Sequence, residues 1–253
     1  MALIKKPEEI SLMRAAGKIL ARTLRELAAQ AAEGVTLRDL DDLARGLIKK
    51  EGGEPAFLNY QPHGATKPYP ATICASLNEV VVHGVPTRRR LTNGDLLKID
   101  LGVRYGGYCA DAAMSVGIGE TDPGVQKLIR ITREALDKGI AAVKPGAHLG
   151  DIGFAISHAV APHGFSLVKG LTGHGIGRNL HEDPEIENEG EIGKGMRLAA
   201  GMTLAIEPMV SAGSSRIVQL RDESYATDDG SLSVHFEHTV VVTPNGAEIL
   251  TQL

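Results

Sequence analysis

Apolar residues follow helical spacing in four segments of the chain, and short β-rich runs occupy the segments between them. In the first helical segment the apolar positions extend from Ile10 to Leu27, after Pro7. The second segment has Thr36 as an N-cap and Gly52-Gly53 as a stop signal. The predicted helices are 10–27, 37–50, 125–143 and 149–160, and the predicted β-rich runs lie in 71–115 and around 202–210, 215–220 and 232–243.

The two halves of the chain share this order of helices followed by strands, and they are also alike locally. Residues 33–40 resemble residues 145–152, and residues 94–100 resemble residues 201–207, which aligns one acidic residue with another. Two related α-α-β halves imply an α+β fold with a pseudo-two-fold antiparallel sheet and helices on its outer face. A functional site is expected on the inner face, between the halves.

The composition is that of an ordinary globular protein. The 253 residues, 43% hydrophobic and 23% charged, suffice for a large core, and we expect a single domain over residues 1–253. A net charge of −4 argues against nucleic acid or an anionic membrane as the main partner. Two cysteines are too few for a disulfide framework, and no signal peptide or membrane-length apolar run is visible, so we expect a soluble, cytoplasmic protein.

Two acidic residues lie in a predicted β-hairpin formed by residues 98–114. A turn at Tyr105-Gly106 sets Asp100 directly opposite Asp111, whereas a turn at Gly106-Gly107 leaves them diagonal, and both turns keep the carboxylates on one face. An isolated pair of this kind would be interpreted as two solvated acids. Asp111, however, lies in an apolar stretch that offers an ionised group little compensation, so we expect the pair to share a cation.

Two more acids and one histidine extend this set. Glu207 ends a strand-like run, and Glu237 lies within a predicted strand. His174 is flanked by glycines whose spacing does not match a dinucleotide-binding loop. Four strand-borne acids are hard to place in a domain core unless cations compensate them. Such an oxygen-rich set with one imidazole suits two divalent cations such as Mn(II), Fe(II) or Co(II), which favours hydrolysis as the chemistry.

Short motifs are spread over nearly the whole chain, at residues 76–86, 98–102, 111, 173–178, 181–184, 206–210 and 236–240. Together they resemble the type I methionine aminopeptidases, which have the pita-bread fold. The resemblance implies a metal-dependent hydrolase that removes the N-terminal methionine from peptides and nascent proteins. The metal ligands that it implies are Asp100, Asp111, His174, Glu207 and Glu237, with Asp111 and Glu237 bridging two divalent ions.

The resemblance also implies roles for residues beyond the metal ligands. His83 and His181 would contact the substrate and the developing tetrahedral intermediate, and Glu207 would carry a proton from the attacking water to the leaving amine. Without the resemblance, the two histidines would be interpreted as loop residues that cap turns. The residues that match a monovalent-cation site of the family are Asn78, Val80 and Ser233.

The pocket for the methionine side chain departs from the family pattern in several places. The segment 61–68 is longer than usual, Leu180 stands where a phenylalanine is common, and His235 replaces a frequent glutamine. The chain also lacks an expected tryptophan. These changes can relax selectivity, because one methylene in an apolar pocket is worth only about 1–3 kcal/mol. The lining residues that the resemblance implies are Tyr60, Tyr69 and Cys74.

Two other functions stay open at this point. An X-Pro aminopeptidase or prolidase would use the same metal ligands, but those relatives carry a large N-terminal domain, whereas the resemblance here begins near Lys6. A non-catalytic pita-bread binding protein is disfavoured because all five ligand positions are kept. The basic run 88–90 is typical of a solvated face. We expect a monomer that acts on peptide and nascent-protein N-termini near the ribosome, with no membrane or specific nucleic-acid partner.

Overall fold

All four predicted helices are present in the computed structural model, which describes residues 3–61 and 64–252. Two residues of the segment predicted as a long loop, Pro62 and His63, lie outside the described residues. The helices are α1 (Pro7–Gln30), α2 (Leu37–Lys50), α3 (Pro123–Ala142) and α4 (Leu149–Val160), with a short 3₁₀ helix at Ala161–His163. In the two described ranges, no helix is both long and apolar enough to cross a membrane.

Within residues 3–61 and 64–252, fifteen strands accompany the helices, and several short ones fall outside the predicted β-rich runs. The strands are β1 (Glu54–Pro55), β2 (Cys74–Leu77), β3 (Val80–Val82), β4 (Leu96–Tyr105), β5 (Tyr108–Gly117), β6 (Ser166–Leu167), β7 (Gly173–Gly175), β8 (Glu182–Ile186), β9 (Thr203–Ile206), β10 (Met209–Ser211), β11 (Ile217–Gln219), β12 (Tyr225–Thr227), β13 (Ser233–His235), β14 (His238–Thr243) and β15 (Gly246–Ile249). The strands that were not predicted are β1, β6, β7, β8, β12 and β15.

The internal repeat predicted from the sequence is visible in the backbone. Gly34 and Gly146 precede α2 and α4 at equivalent positions, with φ of +88° and +87°. At both helix starts, the acid three residues after the N-cap accepts a hydrogen bond from the N-cap N–H, at 3.1 Å for Asp39 and 2.7 Å for Asp151. The two halves therefore begin with the same local structure, each contributing a helix pair and the strands that follow it.

The strand pairs of the described residues are antiparallel, as predicted, and they form four hydrogen-bonded groups. The groups are β1-β4-β2 with β5 paired to β4, β15-β14-β9-β7-β8, β13-β10-β6 and β11-β12-β3. At the seam between the halves, Thr239 Oγ1 accepts from the Asp111 N–H at 2.9 Å and donates to the Asp111 carbonyl at 2.7 Å. Ser115 Oγ makes the same pair of bonds with the backbone of His235, at 3.0 and 2.8 Å. Between these two bridges the Glu237 N–H donates directly to the Ala113 carbonyl at 3.0 Å. The predicted shared sheet is therefore continued there through two hydroxyl groups and one backbone hydrogen bond.

Strand β4 separates the hydrophobic core from the inner face. Leu97, Ile99 and Leu101 are fully buried in the cluster that contains the apolar faces of α1 and α2. Burial of each such side chain contributes about 1.5–3 kcal/mol. Lys98 and Asp100 alternate with them along the strand and therefore face the opposite side of the sheet. The helices thus cover the outer face, and the acidic side chains are left on the inner face.

Candidate metal centre and substrate cleft

The hairpin of β4 and β5 places Asp100 and Asp111 on a diagonal. Tyr105 pairs with Tyr108, so the turn is Gly106-Gly107, and Asp100 lies opposite Ala113. Asp111 lies opposite Gly102, which is two residues after Asp100 on β4. The second of the two predicted registers is therefore correct, and the two carboxyl groups remain on one face, in contact with each other.

Glu207 and Glu237 project from two places where the chain crosses between sheets. Glu207-Pro208 separates β9 from β10, and Phe236-Glu237 separates β13 from β14. Because β9 pairs with β14 and β10 pairs with β13, the two crossings lie side by side. The prediction that Glu237 lies within a continuous strand is wrong, since the strand is interrupted at Phe236 and Glu237. At each crossing the regular alternation of side chains along a strand is interrupted, and Glu207 and Glu237 both line the same cleft.

His174 on β7 presents one ring nitrogen to this acidic group. Its Nδ1 lies 2.9 Å from the Gly175 carbonyl, which can only accept, so the proton is on Nδ1. The free Nε2 lies 3.6 Å from Glu207 Oε1. Ligand atoms of Asp111, His174 and Glu237 all lie within 4.8 Å of one another. The backbone bond thus orients the imidazole in the way seen for metal-ligating histidines.

Buried carboxyl groups without partners dominate the electrostatics of the site. Among the described residues, Asp100 Oδ1, Asp111 Oδ1 and Glu237 Oε1 are buried oxygens without a hydrogen-bond partner. Burial raises the pKa of Asp111 to about 7. Burial and then the neighbouring carboxylates raise the pKa of Asp100, Glu207 and Glu237 well above the usual range. Divalent cations would compensate these charges, so the donor set fits such ions.

His235 is a member of the site that the sequence argument treated only as a departure in the pocket. It is 2% exposed, and neither ring nitrogen has a hydrogen-bond partner. Its Nε2 lies 3.4 Å from Glu207 Oε2, and with Glu207 and Glu237 it forms a second group of ligand atoms within 4.8 Å of one another. The alternation of residues 233, 235 and 237 in the sequence was the signal that could have placed it at the site.

The acidic cluster lies in a cleft of about 790 Å³ that is open to solvent. The cleft is lined by all five predicted metal ligands and by the five residues predicted to contact the substrate, which are His83, His181, Tyr60, Tyr69 and Cys74. Phe57 and Leu180 add apolar surface, and Phe57 was not predicted. The structure therefore brings every predicted metal and substrate residue to one cavity.

His181 links the cluster to the cleft wall. Its ring lies 4.3 Å from the His174 ring, centroid to centroid, and its Nδ1 lies 3.0 Å from the Tyr60 hydroxyl. Although His181 remains accessible from the cleft, desolvation and then the neighbouring His174 and His83 lower its pKa to about 3. The ring is therefore neutral near pH 7, with a proton on one nitrogen.

The other wall residues are held by short-range contacts. His83 has a left-handed backbone, with φ of +61°, and its ring lies 5.9 Å from the Tyr225 ring. The Tyr69 hydroxyl shares its single proton between two carbonyls, that of Ile73 at 3.0 Å and that of Gly84 at 2.9 Å. Tyr69 therefore presents its ring, and not a free hydroxyl, to the pocket.

The residues that match a monovalent-cation site lie behind the acidic cluster. The Asn78 carbonyl accepts from the Ser233 N–H at 3.1 Å, and the Ser233 hydroxyl lies 3.3 Å from the Asn78 carbonyl and 3.4 Å from the Val80 carbonyl. A fourth residue, Lys98, donates from Nζ to the Asn78 carbonyl at 2.6 Å. The sequence argument did not assign a role to Lys98.

Comparison with known proteins gives full-length matches. The sequence matches metallopeptidase family M24 over residues 11–244. A methionine aminopeptidase of Clostridium perfringens is 45% identical over 252 residues, covering 99% of this chain and 99% of that protein. The crystal structure of a methionine aminopeptidase of Thermotoga maritima is 44% identical with a TM-score of 0.95 and covers 100% of both chains. A prolidase of Pyrococcus furiosus, 24% identical with a TM-score of 0.80, covers 99% of this chain and 66% of its own, and shares the fold.

Proposed function

This chain belongs to metallopeptidase family M24, and we propose that it removes the N-terminal methionine from peptides and nascent proteins with two divalent metal ions. The observation that carries the proposal is the cluster of buried carboxylates, with three unpartnered oxygens, beside His174 in an open cleft. The full-length similarity to methionine aminopeptidases supports the choice of substrate. The proposed setting is the cytoplasm, near the ribosome, with the protein acting as a monomer.

We assign five residues to the two ions. Asp111, His174 and Glu237 form one compact group, and Asp100 and Glu207 border it. Carboxylate oxygens with one imidazole suit Mn(II), Fe(II) or Co(II). When bound, such ions act as Lewis acids on water and on the scissile carbonyl. The chain contributes the fixed positions of the donors, which β4, β5, β7 and the two sheet crossings hold.

Glu207 is the residue we assign to proton transfer. Its two carboxyl oxygens are flanked by imidazoles, with His174 Nε2 at 3.6 Å and His235 Nε2 at 3.4 Å. A carboxylate held between two rings has few rotamers open to it, which favours a fixed position for taking a proton from water and returning it to the leaving amine.

His181 and His83 are the hydrogen-bond donors we assign to the substrate. When the Tyr60 hydroxyl donates to His181 Nδ1, the proton of the neutral ring is on Nε2, where it is free to donate to a peptide carbonyl. A donor that meets the oxygen on which negative charge develops is worth about 3–4 kcal/mol of transition-state stabilisation. Tyr60 would then be a positioning residue, because it selects the tautomer of His181.

The apolar part of the cleft is the proposed pocket for the methionine side chain. Phe57, Tyr69, Cys74 and Leu180 line it. Phe57 and Tyr69 meet edge to face, with ring centroids 6.5 Å apart, which fixes one wall. Burial raises the pKa of the Cys74 thiol, so the group is neutral and suits an apolar side chain. A pocket of this kind selects by fit, and we expect methionine to be preferred over branched side chains.

The test compares metal-free protein with protein supplied with Mn(II), Co(II) or anaerobic Fe(II), on Met-Ala-Ser, Leu-Ala-Ser and X-Pro tripeptides. Metal-dependent release of methionine that is lost in Asp111→Ala supports the proposal. The matched control is Asp183→Ala, which removes an exposed acid from the rim of the same cleft. Release of the residue before proline, in place of methionine, would overturn the assignment of methionine as the substrate. Activity of Asp111→Ala equal to that of wild type would overturn the metal assignment.

A further inference from the structure

Lys98 is a lysine side chain buried beside the metal-ligand cluster. It is 1% exposed, although lysine is almost never fully buried without a partner. Its Nζ donates to the Asn78 carbonyl at 2.6 Å. Lys98 shares the inner face of β4 with Asp100, two residues further along the strand. A cationic side chain therefore lies on the inner face of β4 and points to a main-chain oxygen, with Glu79 as its acidic neighbour.

The carbonyl that receives Lys98 is held in place from several directions. Asn78 has a left-handed backbone, with φ of +53°. Its side chain accepts from the Leu96 N–H at 2.8 Å and donates to Asp95 at 3.1 Å, which locks the turn between β2 and β3. The Ser233 N–H donates to the same carbonyl at 3.1 Å. A carbonyl oxygen has two lone pairs, so the lysine and the serine N–H already occupy its acceptor capacity.

These contacts do not fit a bound monovalent cation at Asn78, Val80 and Ser233. The Lys98 amine and the Ser233 N–H occupy the two lone pairs of the Asn78 oxygen, and the Ser233 hydroxyl is left to donate to the Val80 carbonyl at 3.4 Å. A sodium or potassium ion there would have to displace the lysine amine. We propose that the ammonium group of Lys98 takes the place of a monovalent cation, so that this chain needs neither sodium nor potassium at this position.

The position of Lys98 in the fold gives its buried ammonium group a structural role. Lys98 pairs across the hairpin with Ser115, and Ser115 Oγ bonds to the backbone of His235 on β13. Lys98 thereby connects β4, which carries Asp100, with the turn at Asn78 and with the strand that leads to Glu237. The lysine thus stabilises the strands that hold the ligands from behind.

The test measures thermal unfolding of metal-free protein, so its result does not depend on peptidase activity. Unfolding is followed by circular dichroism at one ionic strength in sodium, potassium or tetramethylammonium chloride, with EDTA as its tetramethylammonium salt. All measurements are made near pH 6, well below the ordinary lysine pKa of about 10.4. Tetramethylammonium is too large to enter a site between carbonyls and provides the reference state. Wild type is compared with Lys98→Ser, which opens the space, and Lys98→Met, which fills it without charge.

Wild type is expected to have the same Tm in all three salts. Lys98→Ser should have a lower Tm in tetramethylammonium and should recover several degrees in sodium or potassium, while Lys98→Met should stay low in every salt. The matched control is Lys127→Ser, which removes an exposed lysine whose Nζ also donates to a carbonyl, that of His163 at 3.3 Å. Its Tm should not depend on the cation.

Two results would overturn the proposal. One is a saturable rise of the wild-type Tm in sodium or potassium, and the other is a Lys98→Ser protein that gains no cation-specific stability. Should Lys98→Ser fail to fold, sodium-23 NMR relaxation of the wild-type solution decides the question. A sodium relaxation rate that stays the same when potassium replaces tetramethylammonium at constant ionic strength fits the proposal, whereas a saturable excess that potassium displaces contradicts it.

Discussion

Asp111→Asn should stabilise the metal-free protein at alkaline pH. Asp111 is 3% exposed, and burial raises its pKa from 3.8 to about 7. Since the folded-state pKa is the higher one, the protonated group contributes stability that is fully present below pH 3.8 and is lost as pH rises through about 7. At about 1.4 kcal/mol per unit, the ionised carboxylate lowers the free energy of unfolding by up to about 4 kcal/mol. Asparagine carries no charge and should escape that loss.

Thermal unfolding of metal-free protein at pH 5 and pH 8 measures this effect. For a chain of this size about 2–4 °C corresponds to each kcal/mol, so Asp111→Asn should gain roughly 10 °C at pH 8. The gain should fall to roughly a third of that at pH 5, where less of the wild-type penalty has developed. Adding Mn(II) should reverse the order, because the ion stabilises wild type and binds the variant poorly.

The control for this prediction is Asp41→Asn, the same change at a buried aspartate with backbone donors. Asp41 is 0% exposed, and its Oδ1 accepts from the Thr72 N–H at 2.7 Å and the Ile73 N–H at 3.0 Å. Removing its charge weakens both bonds, so this variant should be less stable at both pH values. Two results would contradict this effect of burial. One is an Asp111→Asn protein that is no more stable than wild type at pH 8 without metal, and the other is a gain in Tm at pH 5 that equals the gain at pH 8.

Three further predictions concern the cleft. Tyr60→Phe removes the hydroxyl 3.0 Å from His181 Nδ1 and should lower kcat roughly tenfold with little change in KM, measured by steady-state kinetics on Met-Ala-Ser. His174→Ala should weaken divalent-ion binding by at least about 10- to 100-fold in calorimetric titration, because the imidazole is one of three ligand atoms within 4.8 Å. Leu180→Phe narrows the apolar wall and should change the ratio of kcat/KM for Met-Ala-Ser over Leu-Ala-Ser by about tenfold, and an unchanged ratio would place the methionine side chain elsewhere.

The boundaries of α2 could be predicted because their signals are local, whereas α1 extends three residues beyond the predicted 10–27 at each end. Thr36 caps α2 at the predicted residue, and the helix ends at Lys50, before the glycine pair. The hairpin register could also have been decided from the sequence. The favoured two-residue hairpin turns need positive φ at the first position or at both, and Gly106 and Gly107 have φ of +57° and +83°. The alternative turn would have placed Tyr105 in a conformation that a bulky side chain avoids.

Other features depend on contacts between distant parts of the chain and could not be predicted. The break at Glu237 arises because the chain changes sheets there, and an alternating sequence pattern does not record such a crossing. The bond between Tyr60 and His181 joins residues 121 positions apart. Lys98 was overlooked because a lysine in a strand is ordinarily exposed, and its acceptor lies in a turn whose geometry depends on the fold.

The most direct test of the metal centre is anomalous X-ray diffraction from crystals grown with Mn(II). Two anomalous peaks are expected within the group formed by Asp100, Asp111, His174, Glu207 and Glu237. A single peak there after saturation, no peak, or peaks bound by other residues would contradict the assignment of a dinuclear site to this carboxylate cluster.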